Sequence, residues 1–178
     1  PIFALDIRHH FGPDADIMIV SPDVGGVGRA RELAQRLGCG LAIVDKRRNK
    51  PGEVAEMTVI GDVAGKRCIL VDDIADTAGT LCKAAEILKE GGATEVHAYV
   101  THGVLSDPAI ERISDSELSQ LVMTDTIEAT DKIKNCKNVR IVPTAPVFAQ
   151  GILNIWSGTS VSSLFQQRTL APIYEGLY

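Results

Sequence analysis

Aromatic residues are scarce in this chain: Phe, Trp and Tyr together make up 4% of it. A protein that stacks successive nucleobases or sugar rings on aromatic platforms is not built this way. Positive charge is also short. The 18 Lys and Arg stand against 23 Asp and Glu, a net charge of −5, which leaves no electrostatic footprint for gripping a nucleic acid. No apolar run approaches the roughly 18 residues that a membrane-spanning helix needs. Cys39, Cys68, Cys82 and Cys136 form no C-x-x-C pair, and no His-x-x-x-His motif accompanies them. Zinc and a disulfide framework are therefore poor readings, and reduced thiols in a cytoplasmic protein are expected. The first residues, Pro1 to His10, carry charges where a signal peptide has its apolar stretch, and there is no initiator Met. A fragment of a longer chain is expected.

What the chain does have is ordinary globular usage, 45% hydrophobic and 23% charged over 178 residues. That length can bury roughly 70% of the unfolded surface in a core of its own. Strand-like and helix-like patterns alternate along it. Ile17 to Val20 is a short apolar run. Val27, Ala30, Leu33, Ala34 and Leu37 then recur at helical spacing, with Gly38 as the stop. Leu41 to Val44 and Cys68 to Val71 read as buried strands. A helix follows from about Gly79, with Leu81, Ala84, Ala85 and Leu88 on one face and Gly91-Gly92 at its end. Val96 to Val100, Leu121 to Met123 and Val139 to Val142 are further strands. Helix-sized spans between continuous apolar runs predict an α/β fold with a mostly parallel sheet flanked by helices. His9 and His10 are expected on the surface of an N-terminal helix, His97 and Trp156 in packing roles. Gln166 to Tyr178 is expected to be an extended tail.

Ligands in open α/β sheets bind beyond the carboxyl ends of the strands, and two such ends carry unusual residues. The first is Leu70-Val71-Asp72-Asp73-Ile74-Ala75-Asp76-Thr77-Ala78-Gly79-Thr80. An apolar strand delivers two adjacent carboxylates, then a loop of small and hydroxyl residues, then a helix start. The unpaired N–H groups of a helix start suit an anion. The hydroxyls of Thr77 and Thr80 can add donors, and Ala78 and Gly79 let a phosphate approach closely. The carboxylates would repel that phosphate unless sugar hydroxyls or Mg²⁺ satisfied them. The pattern asks for a phosphorylated polyol. The second end, Ser21-Pro22-Asp23-Val24-Gly25-Gly26, permits close backbone approach and offers the Asp23 carboxylate; alone, it reads equally as a tight turn. A third feature is Lys46-Arg47-Arg48-Asn49-Lys50-Pro51-Gly52, expected to be a loop or hairpin tip. Residues two apart in an extended loop face one side, so Lys46 and Arg48 could converge on one ligand; a solvated basic turn is the plainer reading.

The Asp72 to Thr80 segment resembles the signature of the type I phosphoribosyltransferase fold. More closely, the chain resembles the C-terminal part of the ribose-phosphate diphosphokinase family from about Pro1 to Phe165. The matching residues include Ile19 to Gly26, Asp45 to Arg48, Ile60 to Val63, Thr101 to Gly103 and Ser160 to Phe165. The resemblance implies transfer of the diphosphoryl group of ATP to the C1 hydroxyl of ribose 5-phosphate, giving 5-phosphoribosyl 1-diphosphate and AMP. It implies Lys46 and Arg48 as a catalytic pair on a flap. Asp72 and Asp73 would take ribose hydroxyls, directly or through Mg²⁺, and Asp76, Thr77, Ala78, Gly79 and Thr80 would cradle the 5-phosphate. Asp23 would help hold ribose or Mg²⁺. It further implies a homo-oligomer, a hexamer built from dimers, with ADP and phosphate acting at a regulatory site that includes Ser160, Ser162 and Phe165. The expected division is residues 1–156 as the phosphoribosyltransferase-type domain and 157–178 as a regulatory tail, with the family's N-terminal domain absent. Two other readings stand beside it. A nucleobase phosphoribosyltransferase would be expected to carry a hood over the base, and no such segment is seen. A non-catalytic subunit that senses phosphoribosyl diphosphate need not retain Lys46 and Arg48.

Overall fold

The computed structural model describes residues 1–13, 15–47 and 56–176. In chain order its elements are α1 (Ile2–Phe11), β1 (Ile17–Ser21), α2 (Val27–Leu37), β2 (Gly40–Arg47), β3 (Glu56–Ile60), β4 (Arg67–Ala75), α3 (Gly79–Glu90), β5 (Glu95–Gly103), α4 (Ala109–Ser114), β6 (Gln120–Thr124), α5 (Asp131–Lys134), β7 (Val139–Val142), α6 (Ala145–Trp156) and α7 (Gln167–Tyr174), with a 3₁₀ turn at Ser162–Phe165. They fall into two compact units, Asp16–Ile141 and the pair of segments Pro1–Ala15 and Val142–Tyr178.

The larger unit is built on a seven-stranded sheet in the order β3-β2-β1-β4-β5-β6-β7. The pairs β1–β2, β1–β4, β4–β5 and β5–β6 are parallel. Every residue of β1 is buried, as a strand covered on both faces requires. The helices obey the expected spacing. α3 buries Leu81, Ala84, Ala85 and Leu88, and α2 buries Ala30, Leu33 and Ala34. Gly38 ends α2 in the left-handed region at φ 73°, where its lack of a Cβ is an advantage. The chain leaves β1 toward β2 on one side and returns to β4 on the other. That reversal puts the carboxyl ends of β1 and β4 next to each other.

Two expectations change here. β4 and β5 run past Val71 and Val100, because they pair as far as Ala75 and Gly103. Asp72 and Asp73, expected where the strand ends, therefore lie within it, and the strand runs on to Ala75. Aspartate disfavours strands, but the neighbouring strand supplies the ladder that outweighs the preference. In addition, β3 pairs antiparallel with β2, with Lys46 opposite Met57 and Arg47 opposite Glu56. Lys46 and Arg47 are thus strand residues at the end of a hairpin arm, and residues 48–55, including Arg48, lie outside those described.

In the smaller unit, the segment expected to be an extended tail is helical. Leu170 and Tyr174, one turn apart on α7, are buried with Leu5, and Ile2, Val147 and Ile173 pack against them. The Tyr174 hydroxyl donates to the Pro143 carbonyl at 2.8 Å. Hydrophobic spacing explains this helix; the interior Pro172 concealed it from the sequence reading. Trp156, expected to pack, is 90% exposed, and Phe148, Ile152 and Ile155 on the same helix are exposed too. His9 and His10 are exposed on α1 as expected. His97 is buried beside Glu95, at 3.1 Å. No disulfide joins the four cysteines, and burial pushes the Cys68 thiol up to about 11, a value for an inert core residue.

Two glycines near the hairpin give a paired test. Gly61 sits at φ 120°, and a Cβ there would meet the Ala42 Cβ at 2.9 Å and its Cα at 3.2 Å. Gly65 has φ 73° and open space around it. Gly65→Ala should cost about 1 kcal/mol from backbone strain alone, and Gly61→Ala about 2–4 kcal/mol from strain plus overpacking. Urea unfolding of both variants checks this; equal losses would remove the steric part of the argument.

Candidate active site

In open α/β sheets, the crevice where strand order reverses is the usual ligand site. Here it lies between the ends of β1 and β4. After β1, the buried Ser21 donates its hydroxyl to the Asp23 carbonyl at 2.7 Å, and the Gly26 N–H donates to Asp23 Oδ1 at 2.8 Å. A Cβ on Gly26 would lie 2.8 Å from Ser21 Oγ, so the turn accepts no side chain there without moving Ser21. α2 begins at the next residue.

After β4 the chain passes Asp76 and Thr77 and enters α3 through Ala78, which sits in the left-handed region at φ 57°, ψ 4°. No side chain caps α3. Its first-turn N–H groups have no acceptor within the helix, and the positive end of the dipole lies among them. Thr77 and Thr80 are exposed around this point, whereas Ala78 is buried. The corner is braced from the loop after β5. The Ala75 carbonyl accepts from the Val104 and Leu105 N–H groups at 3.0 and 3.1 Å. Ser106 donates to Asp76 Oδ1, and Arg112 Nη1 donates to the Thr77 carbonyl at 3.0 Å. Asp76 therefore spends a carboxylate oxygen on Ser106, and its own contribution to an anion would be through the backbone.

The acidic pair is held by a residue that sequence reasoning missed. Arg29, in the first turn of α2, donates from Nη1 to Asp72 Oδ1 at 2.6 Å and from Nη2 to Asp73 Oδ2 at 2.7 Å. The Asp73 N–H also donates to Asp72 Oδ1 at 2.9 Å. The two acids shift in opposite directions. Burial pushes the Asp72 carboxyl above the usual carboxylate range, against the pull of the Asp73 N–H and Arg29. For the exposed Asp73, slight burial pushes the same way but is outweighed by the Arg29 charge and the hydrogen bond with Asp72, which hold its carboxyl low. The cue in the sequence was electrostatic: two adjacent carboxylates need a counter-charge, and Arg29 is the third residue of the helix after the Gly25-Gly26 turn. Arg112 and Ser106 carried no such cue.

The structure thus brings Asp72, Asp73, Asp76, Thr77, Ala78, Gly79 and Thr80 into one corner. It ties the Asp23 turn to that corner through Arg29, whose Nη1 would lie 3.5 Å from a Cβ on Gly26. The backbone of Lys46 lies at the carboxyl end of β2, the strand paired with β1 on its other side. Ser160, Ser162 and Phe165 belong to the smaller unit. There Asn154 Nδ2 donates to the Ser160 carbonyl at 2.9 Å, the Ser160 and Ser162 hydroxyls are 3.4 Å apart, and Phe165 is exposed. His102, at the end of β5, hydrogen-bonds Thr126 Oγ1 through Nδ1 at 2.9 Å. Among the described residues no group of three His, Cys, Asp or Glu could hold a metal. The acid pair, engaged by a guanidinium, does not fit a directly bound Mg²⁺. Asp23 fits as a single carboxylate donor to an ion that takes its other ligands from water and substrate phosphates.

If Arg112 braces the corner, Arg112→Ala should raise hydrogen exchange about tenfold at the Cys82 amide, whose bond to the Ala78 carbonyl closes the first turn of α3. Unchanged protection there would show that the loop holds its shape without Arg112.

The phosphoribosyl synthetase-associated domain family matches residues 46–166. A ribose-phosphate pyrophosphokinase of Cereibacter sphaeroides is 69% identical over the whole of this chain, which covers 53% of that protein. The crystal structure of phosphoribosylpyrophosphate synthetase from Mycobacterium smegmatis superposes with a TM-score of 0.79 at 36% identity, over 88% of this chain and 50% of that one. An adenine phosphoribosyltransferase shares the fold at a TM-score of 0.54 and 22% identity, over 68% of this chain and 75% of its own. The chain spans about half the length of the curated relatives it matches. With a match running from the end of β2 through the acidic corner to the Ser160 to Phe165 segment, the chain belongs to the phosphoribosyl synthetase-associated domain family.

Proposed function

We propose that the full-length protein carrying this segment is a ribose-phosphate diphosphokinase, and that the β4–α3 corner is its ribose 5-phosphate site. The observation that carries the reading is the juxtaposition at the strand reversal. Two carboxylates suited to accepting hydroxyl hydrogen bonds stand a few residues before an uncapped helix start suited to a phosphate. A phosphorylated pentose satisfies both at once. The relatives named ribose-phosphate pyrophosphokinase favour this reaction over a nucleobase phosphoribosyltransferase.

In this reading the amides from Thr77 to Thr80 and the two threonine hydroxyls hold the 5-phosphate. Asp72 and Asp73 accept from the ribose hydroxyls and orient the ring, so that its C1 hydroxyl faces the β-phosphorus of ATP. Attack there forms a new P–O bond to the C1 oxygen as its hydroxyl proton passes to solvent, breaks the bond between the β-phosphorus and the oxygen bridging to the α-phosphate, and releases AMP. Catalysis in such transfers is mainly positioning and charge stabilisation. Lys46 and Arg48 supply cations for the transferred group. Asp23 would hold Mg²⁺, which when bound offsets phosphate charge. A cytoplasmic homo-hexamer built from dimers, with ADP and phosphate acting through Ser160, Ser162 and Phe165, belongs to the same proposal.

The test is AMP release from ATP and ribose 5-phosphate with Mg²⁺, measured on the full-length protein. Lys46→Ala should lower kcat by at least about 10²-fold. Asp73→Asn should weaken ribose 5-phosphate about tenfold while leaving Tm nearly unchanged, since the residue is exposed. No AMP release from the wild type, or unchanged turnover in Lys46→Ala, would overturn the assignment of reaction or of flap respectively.

A further inference from the structure

Asp72 and Asp73 are consecutive residues of β4. Successive strand side chains point to opposite faces, so two adjacent carboxylates do not ordinarily converge. Here one guanidinium touches both, at 2.6 and 2.7 Å. It binds Oδ1 of Asp72 and Oδ2 of Asp73, which leaves the other oxygen of each outside the clamp. We propose that Arg29 is the positioning residue of the pentose site: it gathers the two carboxylates into one acceptor for a vicinal diol and keeps a divalent cation from binding directly between them. This deepens the ribose 5-phosphate reading above and rests on it.

Three observations support the role. The first is the geometry of the donor. A planar guanidinium can give one N–H to each carboxylate at a fixed spacing, which an ammonium cannot. The second is charge. Two carboxylates and one guanidinium leave a net charge of −1 at the pair, with lone pairs still open to hydroxyl donors. An ion lodged between the same oxygens would have to displace the guanidinium first. The third is the small contribution to stability. The Arg29 side chain is 36% exposed and that of Asp73 58%. Exposed ion pairs contribute little to folding, so structural support alone does not account for the Asp73 limb, whereas the Asp72 side chain is only 18% exposed. The turn after β1 leaves room for it, since Gly26 has no side chain beside Nη1.

The experiment uses the full-length protein with Arg29→Lys and Arg29→Gln. Calorimetry measures affinity for ribose 5-phosphate and for 2-deoxyribose 5-phosphate, which lacks the diol. Electron paramagnetic resonance counts bound Mn²⁺ in the absence of sugar and nucleotide. Both variants should lose about tenfold in ribose 5-phosphate affinity and less than about threefold for the deoxy sugar, so the preference for the diol collapses, with Tm within about 2 °C of wild type. Arg29→Gln should also gain one Mn²⁺ site that a further Asp73→Asn removes. A preference kept by both variants, or no added Mn²⁺ site, overturns the role of Arg29. A wild type that binds neither sugar phosphate sinks the pentose reading instead, and the Mn²⁺ count still decides whether Arg29 keeps cations off the pair.

Discussion

The parallel pairing of β1 with β4 is the constraint on which the candidate site depends. Register runs from Ile17 opposite Arg67 to Val20 opposite Leu70, and these positions are largely buried. Because both strands are covered on both faces, a shift by one residue would turn each side chain to the opposite packed face, where it would not fit. The pairing fixes where each strand ends. It therefore fixes where the Asp23 turn and the Asp72 to Thr80 corner emerge. The helices that follow, α2 and α3, each start from one of those ends, and Arg29 reaches from the first to the carboxylates of the second. The site is assembled by sheet topology and trimmed by side chains.

Within the corner, opposing electrostatic demands are kept a few residues apart. The uncapped start of α3 favours negative charge, while Asp72 and Asp73 supply it just upstream. Three contacts keep these demands from cancelling. Arg29 draws the two carboxylates together. Ser106 engages Asp76, the acid nearest the helix start. Arg112 fixes the Thr77 carbonyl, a group that would otherwise compete for the same donors. A ligand with hydroxyls at one end and a phosphate at the other matches the order in which these groups appear along the chain.

Much of this was legible in the sequence because the signals were local. Apolar runs such as Cys68 to Val71 marked buried parallel strands, and the spacing of Leu81, Ala84, Ala85 and Leu88 marked the face of α3. The Asp72 to Thr80 segment carried its chemistry in consecutive residues. What was not legible depended on partners distant in sequence. The extension of β4 through Asp72 and Asp73 needed β5 beside it. The antiparallel β3 needed β2, and its approach lies in a segment dominated by charge and turn residues. α7 was hidden by Pro172 and by the absence of any nearby sign that Leu170 and Tyr174 would meet Leu5. Arg29 lies 43 residues from Asp72 in the chain, and only the reversal of strand order brings the two together.

The central claim is that the start of α3 receives the terminal phosphate of a pentose whose hydroxyls meet the acid pair. Amide NMR of the isotopically labelled full-length protein, titrated with ribose 5-phosphate, addresses it directly. The account predicts that the Ala78, Gly79 and Thr80 amides shift together and saturate at the same concentration as the Arg29 side-chain N–H groups. Shifts confined to other segments, or saturation with these amides unmoved, would contradict it.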